Sequence, residues 1–357
     1  MGEPALPQTM PAAVYQGKGR LTVEDRPVPE PGPDQVLVEV GHCGVCGSDL
    51  HMIVEGWGAP GSIAGHEWSG TIRAVGAGVS QWAAGDVVVG GPSPRCGHCR
   101  RCLQGKPSQC ENRSSMITEH SDGAFAGYIL VDARALLRVP PGLAPRSAAL
   151  AEPLAVALHG ITRGKLEPGE TVMVFGAGPI GALSIAALVA QGGHRVTVVE
   201  PNPGRQALAQ KLGADEVLHP EVLECFPRWE PEKLSAHAVD VVLECSGKGV
   251  AVETGLHQLL RGGRLVLVGA GMDQPALDPN RVILNELEIS GSFIYDADGF
   301  DRALALLASG ALPTDVLIEA QDVGLDELPQ AMAGLAGGSI AGKVMVVPRR
   351  AGDVVVA

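Results

Sequence analysis

The sequence predicts an α/β chain in two parts: a doubly wound parallel sheet in the second half and a mainly β domain before it. Three observations carry this. A strand-like run at 171–175 meets a glycine turn, Gly176-Ala-Gly-Pro-Ile-Gly181, and an apolar helix pattern follows to Gly192. Further strand patterns at 195–199, 216–218, 239–245, 264–268 and 287–293 alternate with helix-length segments, which implies parallel strands covered on both faces. Residues 11–40 lack this rhythm and read as strands broken by a Pro-rich turn at 26–34.

The glycine turn is the chemical centre of the second half. Gly176 permits a tight turn, Gly178 lets a pyrophosphate approach the backbone, and Gly181 lets the helix pack on the strand. The helix N-terminus offers free N–H groups to phosphates. Glu200, nineteen positions after Gly181, ends the next strand. It can accept hydrogen bonds from ribose hydroxyls, and its charge opposes a 2′-phosphate. The unit is expected to bind NAD. Ligands of such sheets bind at the carboxyl ends of the strands, which selects 245–247 and 268–270.

At 357 residues, 45% of them hydrophobic, the chain is long enough for two domains with sizeable cores. A formal charge of −13 argues against nonspecific nucleic-acid binding, which needs surplus Lys and Arg. No stretch of about eighteen apolar residues suggests a membrane span. Residues 1–9 read as a disordered leader without a secretory pattern, with Met10 a candidate start. Eight cysteines in a chain expected to be cytoplasmic point to metal binding rather than disulfides.

Along the first half, 35–40 alternates polar and apolar residues, as a half-buried strand does. Cys43, Cys46 and His51, then Gly65-His66-Glu67, bring thiolate, imidazole and carboxylate within a short stretch, all competent for zinc. Cys43 and Cys46 alone would also fit a redox pair, but no thioredoxin-like βαβ pattern surrounds them. A short strand is expected at 86–90. Cys96, Cys99, Cys102 and Cys110 then place four thiols in one loop, the pattern of a closed structural zinc site. His98 within that loop is expected to face solvent. Further strands are expected at 123–139. Residues 147–159 read as helix, a break at Pro153, and helix again. Glu152 is a lone acid among aliphatics, and a buried carboxylate needs a partner or a metal. His159 reads as a core histidine, and Cys225 and Cys245 as ordinary thiols. Residues 297–309 are expected to be helical, and 343–347 a closing strand.

These motifs in this order resemble the zinc-dependent medium-chain alcohol dehydrogenases over roughly residues 11–348. They are Cys46-Gly-Ser-Asp-Leu-His51, Gly65-His66-Glu67, the four-cysteine loop and the glycine turn. Glu152-Pro153-Leu154 is similar to the sorbitol, butanediol and threonine dehydrogenase branch. The resemblance implies a Rossmann domain at 157–295 and a GroES-like, mainly β catalytic domain. The latter is built from 1–156, with its zinc loop at 91–113, and from 296–357. It implies a catalytic zinc on Cys46, His66 and either Glu67 or Glu152, with Asp49 orienting His66, and a structural zinc on the loop. Ser48, the ribose hydroxyls and His51 would carry the proton outward. Ile180, Val268, Gly269, Ala270, Ser292 and Phe293 would line the nicotinamide, with Arg205 near the adenosine and Lys343 near the pyrophosphate.

The expected reaction is reversible hydride transfer between NAD and a secondary alcohol or diol, in a homo-oligomer, tetramer or dimer. The alternatives are a threonine- or aminocyclitol-type amino-alcohol dehydrogenase and, further off, a zinc-free quinone or enoyl reductase. Two positions depart from the polyol pattern. Met52 replaces a Tyr after the relay histidine, and Ile294 replaces an Arg before Tyr295. Both remove polar handles, which points away from sorbitol. It favours a less polar alcohol, or a diol met by Ser48, Glu119 or His120.

Overall fold

The computed structural model describes residues 6–91, 96–112, 122–271 and 273–348, and the chain divides into two compact units. The first comprises Met1–Glu152, Phe300–Ser309 and Ile318–Ala357; the second comprises Pro153–Gly299 and Gly310–Leu317. Residues 1–5 of the expected leader lie outside the described residues, and its last residue, Thr9, already begins a strand.

In the first unit, β1 (Thr9–Gly17) and β2 (Arg20–Pro27) form an antiparallel hairpin. The central strand is β3 (Gln35–Gly44). It pairs antiparallel with β4 (Glu67–Val75), with β6 (Tyr128–Asp132) and with the closing strand Met345–Val346. Beyond β4 lie β5 (Val87–Gly90) and β7 (Leu137–Arg138). The start of β3 is not half-buried as its alternation suggests: Val36, Leu37 and Val38 are all fully buried, and only Glu39 is exposed. A register shift against β4 interrupts the pairing between Leu37 and Val38, so alternation does not continue across it. Short helices, α1 (Gly47–Leu50), α2 (Arg100–Leu103) and α3 (Pro145–Ala148), join the strands.

The next helix, α4, runs unbroken over Ala151–Arg163. The expected break therefore falls at residues 149–150 and not at Pro153. Proline in a first turn removes an N–H that has no intrahelical partner in any case.

The second unit is a six-stranded sheet, all parallel. Its strands are β8 (Thr171–Phe175), β9 (Arg195–Val199), β10 (Glu216–Leu218), β11 (Val239–Glu244), β12 (Leu259–Leu267) and β13 (Glu288–Gly291). Their order, β10-β9-β8-β11-β12-β13, reverses direction at β8, and the crevice at such a switch point takes ligands. Val172, Met173, Val174, Val241, Val242 and Leu243 are fully buried, as residues covered on both faces must be. After β8 the chain enters α5 (Pro179–Gln191).

The glycine turn has a geometric reason at two positions. Gly176 has φ +87°, the left-handed region that favours glycine. A Cβ on Gly181 would stand 1.9 Å from the Gly176 carbonyl oxygen, so α5 packs this closely only without a side chain. Replacing Gly181 by Ala must displace backbone rather than a flexible side chain. Gly181→Ala is expected to cost about 2 kcal/mol or more in urea unfolding, the upper range for overpacking. An unchanged unfolding midpoint would refute this packing account.

Candidate functional site

Within the first unit, the end of β3, the start of α1 and the start of β4 place Cys46, His66 and Glu67 together. Their donor atoms lie within 4.8 Å of one another. Gly65 makes this possible: it has φ +94°, and a Cβ there would stand 2.9 Å from the Phe125 amide nitrogen and 3.0 Å from Cys43 Sγ. Asp49, almost fully buried, ties the segments together. It accepts a hydrogen bond from the Cys46 N–H (2.9 Å) and one from the Gly65 N–H (3.3 Å), and its Oδ1 stands 3.6 Å from His66 Nδ1. Ser48 Oγ lies 3.5 Å from His66 Nε2. Cys43, by contrast, is fully buried in the core, and burial pushes its thiol well above the usual range. The pair Cys43/Cys46 is thus split between core and site.

Glu67 and Glu152 differ in partners. Glu67 has no exposed surface, and both its oxygens accept from Lys343 Nζ, at 2.8 and 2.6 Å. Lys343 also donates to the Val45 carbonyl (3.0 Å). Burial would lower the Lys343 pKa, but Glu67 and the Cys46 thiol outweigh it and raise it. Lys343, expected near a pyrophosphate, is instead committed to this pair. Glu152, also buried, receives no hydrogen bond among the described residues. Burial pushes its carboxyl up to about 7, against the pull of His66 and with the nearby Glu67 adding to the rise. Burial disfavours the His66 cation, yet Cys46, Asp49 and Glu152 together hold its pKa well above the usual value. Thiol, imidazole and carboxylate are a donor set suited to a divalent cation such as zinc; Cys46, His66 and Glu67 cluster, and Glu152 is close enough to act on the His66 charge.

Elsewhere in this unit Cys96, Cys99, Cys102 and Cys110 have their sulfurs within 4.8 Å of one another, with Cys96 and Cys102 4.0 Å apart. Tetrahedral zinc with sulfurs at about 2.3 Å needs sulfurs about 3.8 Å apart. The N–H of Cys99 donates to Cys96 Sγ (3.3 Å) and that of Cys102 to Cys99 Sγ (3.4 Å), as thiolates require. The backbone N–H groups of His98 and Cys99 and the Asn112 side-chain amide (3.4 Å), all directed at the sulfur, bring the Cys96 thiol down to about 6. His98 itself is exposed.

In the second unit the expected coenzyme residues sit at the carboxyl ends of the strands. Gly176 follows β8, Glu200 follows β9, Val268, Gly269 and Ala270 follow β12, and Ser292 and Phe293 follow β13. Ile180 lies in the first turn of α5, and Arg205 in the helix Pro203–Lys211. A Cβ on Gly178 would meet nothing within 4 Å, so the space above the N-terminus of α5 is open to a ligand. The Ser292 hydroxyl is buried without a hydrogen-bond partner among the described residues. Glu200 accepts from the N–H groups of Ala177 (2.7 Å) and Asn202 (2.9 Å), so it braces the glycine turn. His159 is buried, 3.1 Å from Asp296.

Two family models match this chain: the alcohol dehydrogenase GroES-like domain over residues 32–141 and the zinc-binding dehydrogenase over 179–309. Sorbitol dehydrogenase of Bacillus subtilis is 34% identical over 354 residues, covering 97% of this chain and 99% of that protein. The chain belongs to the zinc-dependent medium-chain alcohol dehydrogenases. This dehydrogenase has a GroES-like domain and a Rossmann sheet, and it is an oxidoreductase acting on CH–OH groups. A zinc-binding dehydrogenase from Sinorhizobium meliloti, solved with NADP, superposes with TM-score 0.83 at 31% identity, covering 96% of this chain and all of that one. Acetophenone reductase of Geotrichum candidum, solved with NAD, superposes with TM-score 0.83 at 26% identity, covering 96% and 98%.

Glu119 and His120, expected as polar contacts for a diol, lie outside the described residues. Met52 is partly buried against the core of the first unit. Ile294 is buried with φ +48°, a conformation that strains a β-branched residue. Sequence reasoning missed Glu244. Its buried carboxylate accepts from the N–H and hydroxyl of Ser246 and from the Gly247 N–H, shaping the loop after β11. The signal was there: like Glu152, it is an acid closing an aliphatic run.

Removing one partner of a buried pair strands the other charge. Lys343→Ala in the dehydrogenase is expected to lower unfolding free energy by about 3–5 kcal/mol, whereas the double variant Glu67→Gln/Lys343→Met recovers most of that loss. Urea unfolding of the variants checks this. A Lys343→Ala protein as stable as the parent would show that the pair contributes nothing.

Proposed function

We propose that this dehydrogenase oxidises secondary alcohols of low polarity, or diols, to ketones with NAD, using a zinc ion held by Cys46, His66 and Glu152. One observation carries the ligand choice: Glu67 is saturated by Lys343, while Glu152 is a buried carboxylate without a donor. Bound zinc would acidify the alcohol hydroxyl, and the nicotinamide would accept the hydride. Asp49 fixes the orientation of His66, as imidazole ligands commonly require. Ser48 takes the alcohol proton and His51 passes it to solvent. A second zinc on Cys96, Cys99, Cys102 and Cys110 would be structural, since four thiolates leave no open position.

The apolar Met52 and the strained Ile294 support a substrate less polar than sorbitol. Acetophenone reductase, among the similar structures, is named for an aryl ketone. Glu200 supports NAD over NADP, because a 2′-phosphate would be brought against its buried charge. Self-association is supported by the edge strand β13: Ile289 on it and Ile283 and Leu284 just before it are exposed. Eight cysteines support a reducing, cytoplasmic compartment; no helix among the described residues is long and apolar enough to cross a membrane.

A panel of sorbitol, 2,3-butanediol, threonine, an inositol and 1-phenylethanol with NAD tests the substrate class, with butanediol or phenylethanol expected to be fastest. Metal analysis tests the centres. The parent is expected to carry about two zinc per chain, one for each cluster. Glu152→Ala should keep the loop metal and lose the other. Its turnover should fall by more than about a hundredfold, the upper cost of losing a mere supporting partner. Cys102→Ser should do the reverse and lower the melting temperature. A Glu152→Ala enzyme with full metal content and turnover would sink the ligand assignment.

Coenzyme choice is read separately in steady-state kinetics. The kcat/KM for NAD should exceed that for NADP by at least about tenfold, and Glu200→Ala should narrow the gap. Equal efficiency in the parent would mean that Arg195 or Arg205 overrides the carboxylate.

A further inference from the structure

The segment after α1 is built around one histidine. Residues His51–Glu55 form a π-helix, a rare form frequent at functional sites, closed by Gly56 at φ +92°. The His51 carbonyl accepts from the N–H of Gly56 and again from that of Trp57 (3.2 Å). This wide turn returns two side chains to the His51 ring. Glu55 Oε2 stands 2.9 Å from Nδ1. The Trp57 ring stacks on the imidazole, with centroids 4.6 Å apart and planes 10° from parallel. The Glu55 approach is off the axis of the ring N–H, the loose alignment common in catalytic pairs before substrate binds.

We propose that Glu55 and Trp57 are positioning residues for His51 in proton release, which rests on the relay reading given under Proposed function. A carboxylate at Nδ1 favours the tautomer with its proton there, and so leaves the Nε2 lone pair to accept the travelling proton. The imidazolium then formed faces an adjacent negative charge, as in the Ser-His-Asp arrangement. The proton leaves Nε2 to water and the Nδ1 proton stays in place, so the ring ends as it began. Trp57 covers one ring face and opposes a flip that would exchange the two nitrogens. The Glu55 side chain is 46% exposed, against 22% for His51, so the carboxylate supports the ring from its solvent side.

The test is a double-mutant cycle on the zinc-loaded enzyme, with NAD and the panel alcohol oxidised fastest. Glu55→Ala is expected to lower kcat about tenfold at neutral pH, the low end for acid–base groups, with both KM values within about twofold. Glu55→Asp should recover part of the loss, and Trp57→Phe, which keeps a stacking ring, should stay near the parent. In a His51→Gln background Glu55→Ala should have no further effect, because residues acting as a unit are not additive. An equal loss in both backgrounds, or no loss in the parent background, overturns the positioning role alone. A His51→Gln enzyme with full kcat overturns the relay reading, and the positioning role with it.

Discussion

A carboxylate removed from water must meet a cation or a set of hydrogen-bond donors, and this constraint organises both units. Among the described residues five acids are buried: Asp49, Glu67, Glu152, Glu200 and Glu244. Four have partners, and each fastens together segments that are distant in sequence or sharply turned. Asp49 joins the start of α1 to the Gly65 turn, and Glu67 joins β4 to Lys343, two residues before the closing strand. Glu200 holds the glycine turn against the end of β9, and Glu244 folds the loop after β11 over its own strand end. Glu152 alone has no donor, and it lies close enough to His66 for their charges to interact. His66 and Lys343 act on its charge through space, yet neither donates a hydrogen bond to it.

Much of this was legible in residue identity and spacing. The glycine turn, the acid after it and the strand–helix rhythm define the parallel sheet, because each is a local requirement of backbone geometry. Four cysteines spaced along one loop meet for the same reason: the loop is short, so its sulfurs cannot be far apart. Glu152 stood out because an acid in an aliphatic run conflicts with its neighbours, and such conflicts gather at functional sites.

The remainder depended on contacts that spacing does not encode. Lys343 lies 276 positions from Glu67, and only the return of the chain to β3 brings them together. Before that return, a lysine near the end of the chain and a carboxylate in a ligand motif have no visible relation. In sequence Pro153 reads as a helix breaker, although its effect depends on the turn it occupies, and helix boundaries are not visible at single-residue precision. Alternation at the start of β3 failed because a register shift interrupted it and both faces were covered. The π-helix at His51 carries no periodic signal, since it is a single turn.

The pairing of Glu67 also bears on how the metal site can behave. For Glu67 to swing toward a cation it must leave Lys343, whose ammonium is almost fully buried and would retain only the Val45 carbonyl. An unpaired buried cation is costly, so such an exchange needs a second anion for the lysine at the same moment. Cys46 and Glu152 are close enough to act on the Lys343 charge. Holding a zinc ion as proposed, neither would serve as its counterion. The proposed ligation by Glu152 and the pairing of Glu67 with Lys343 would therefore support each other, and moving either carboxylate alone would leave one buried charge uncompensated.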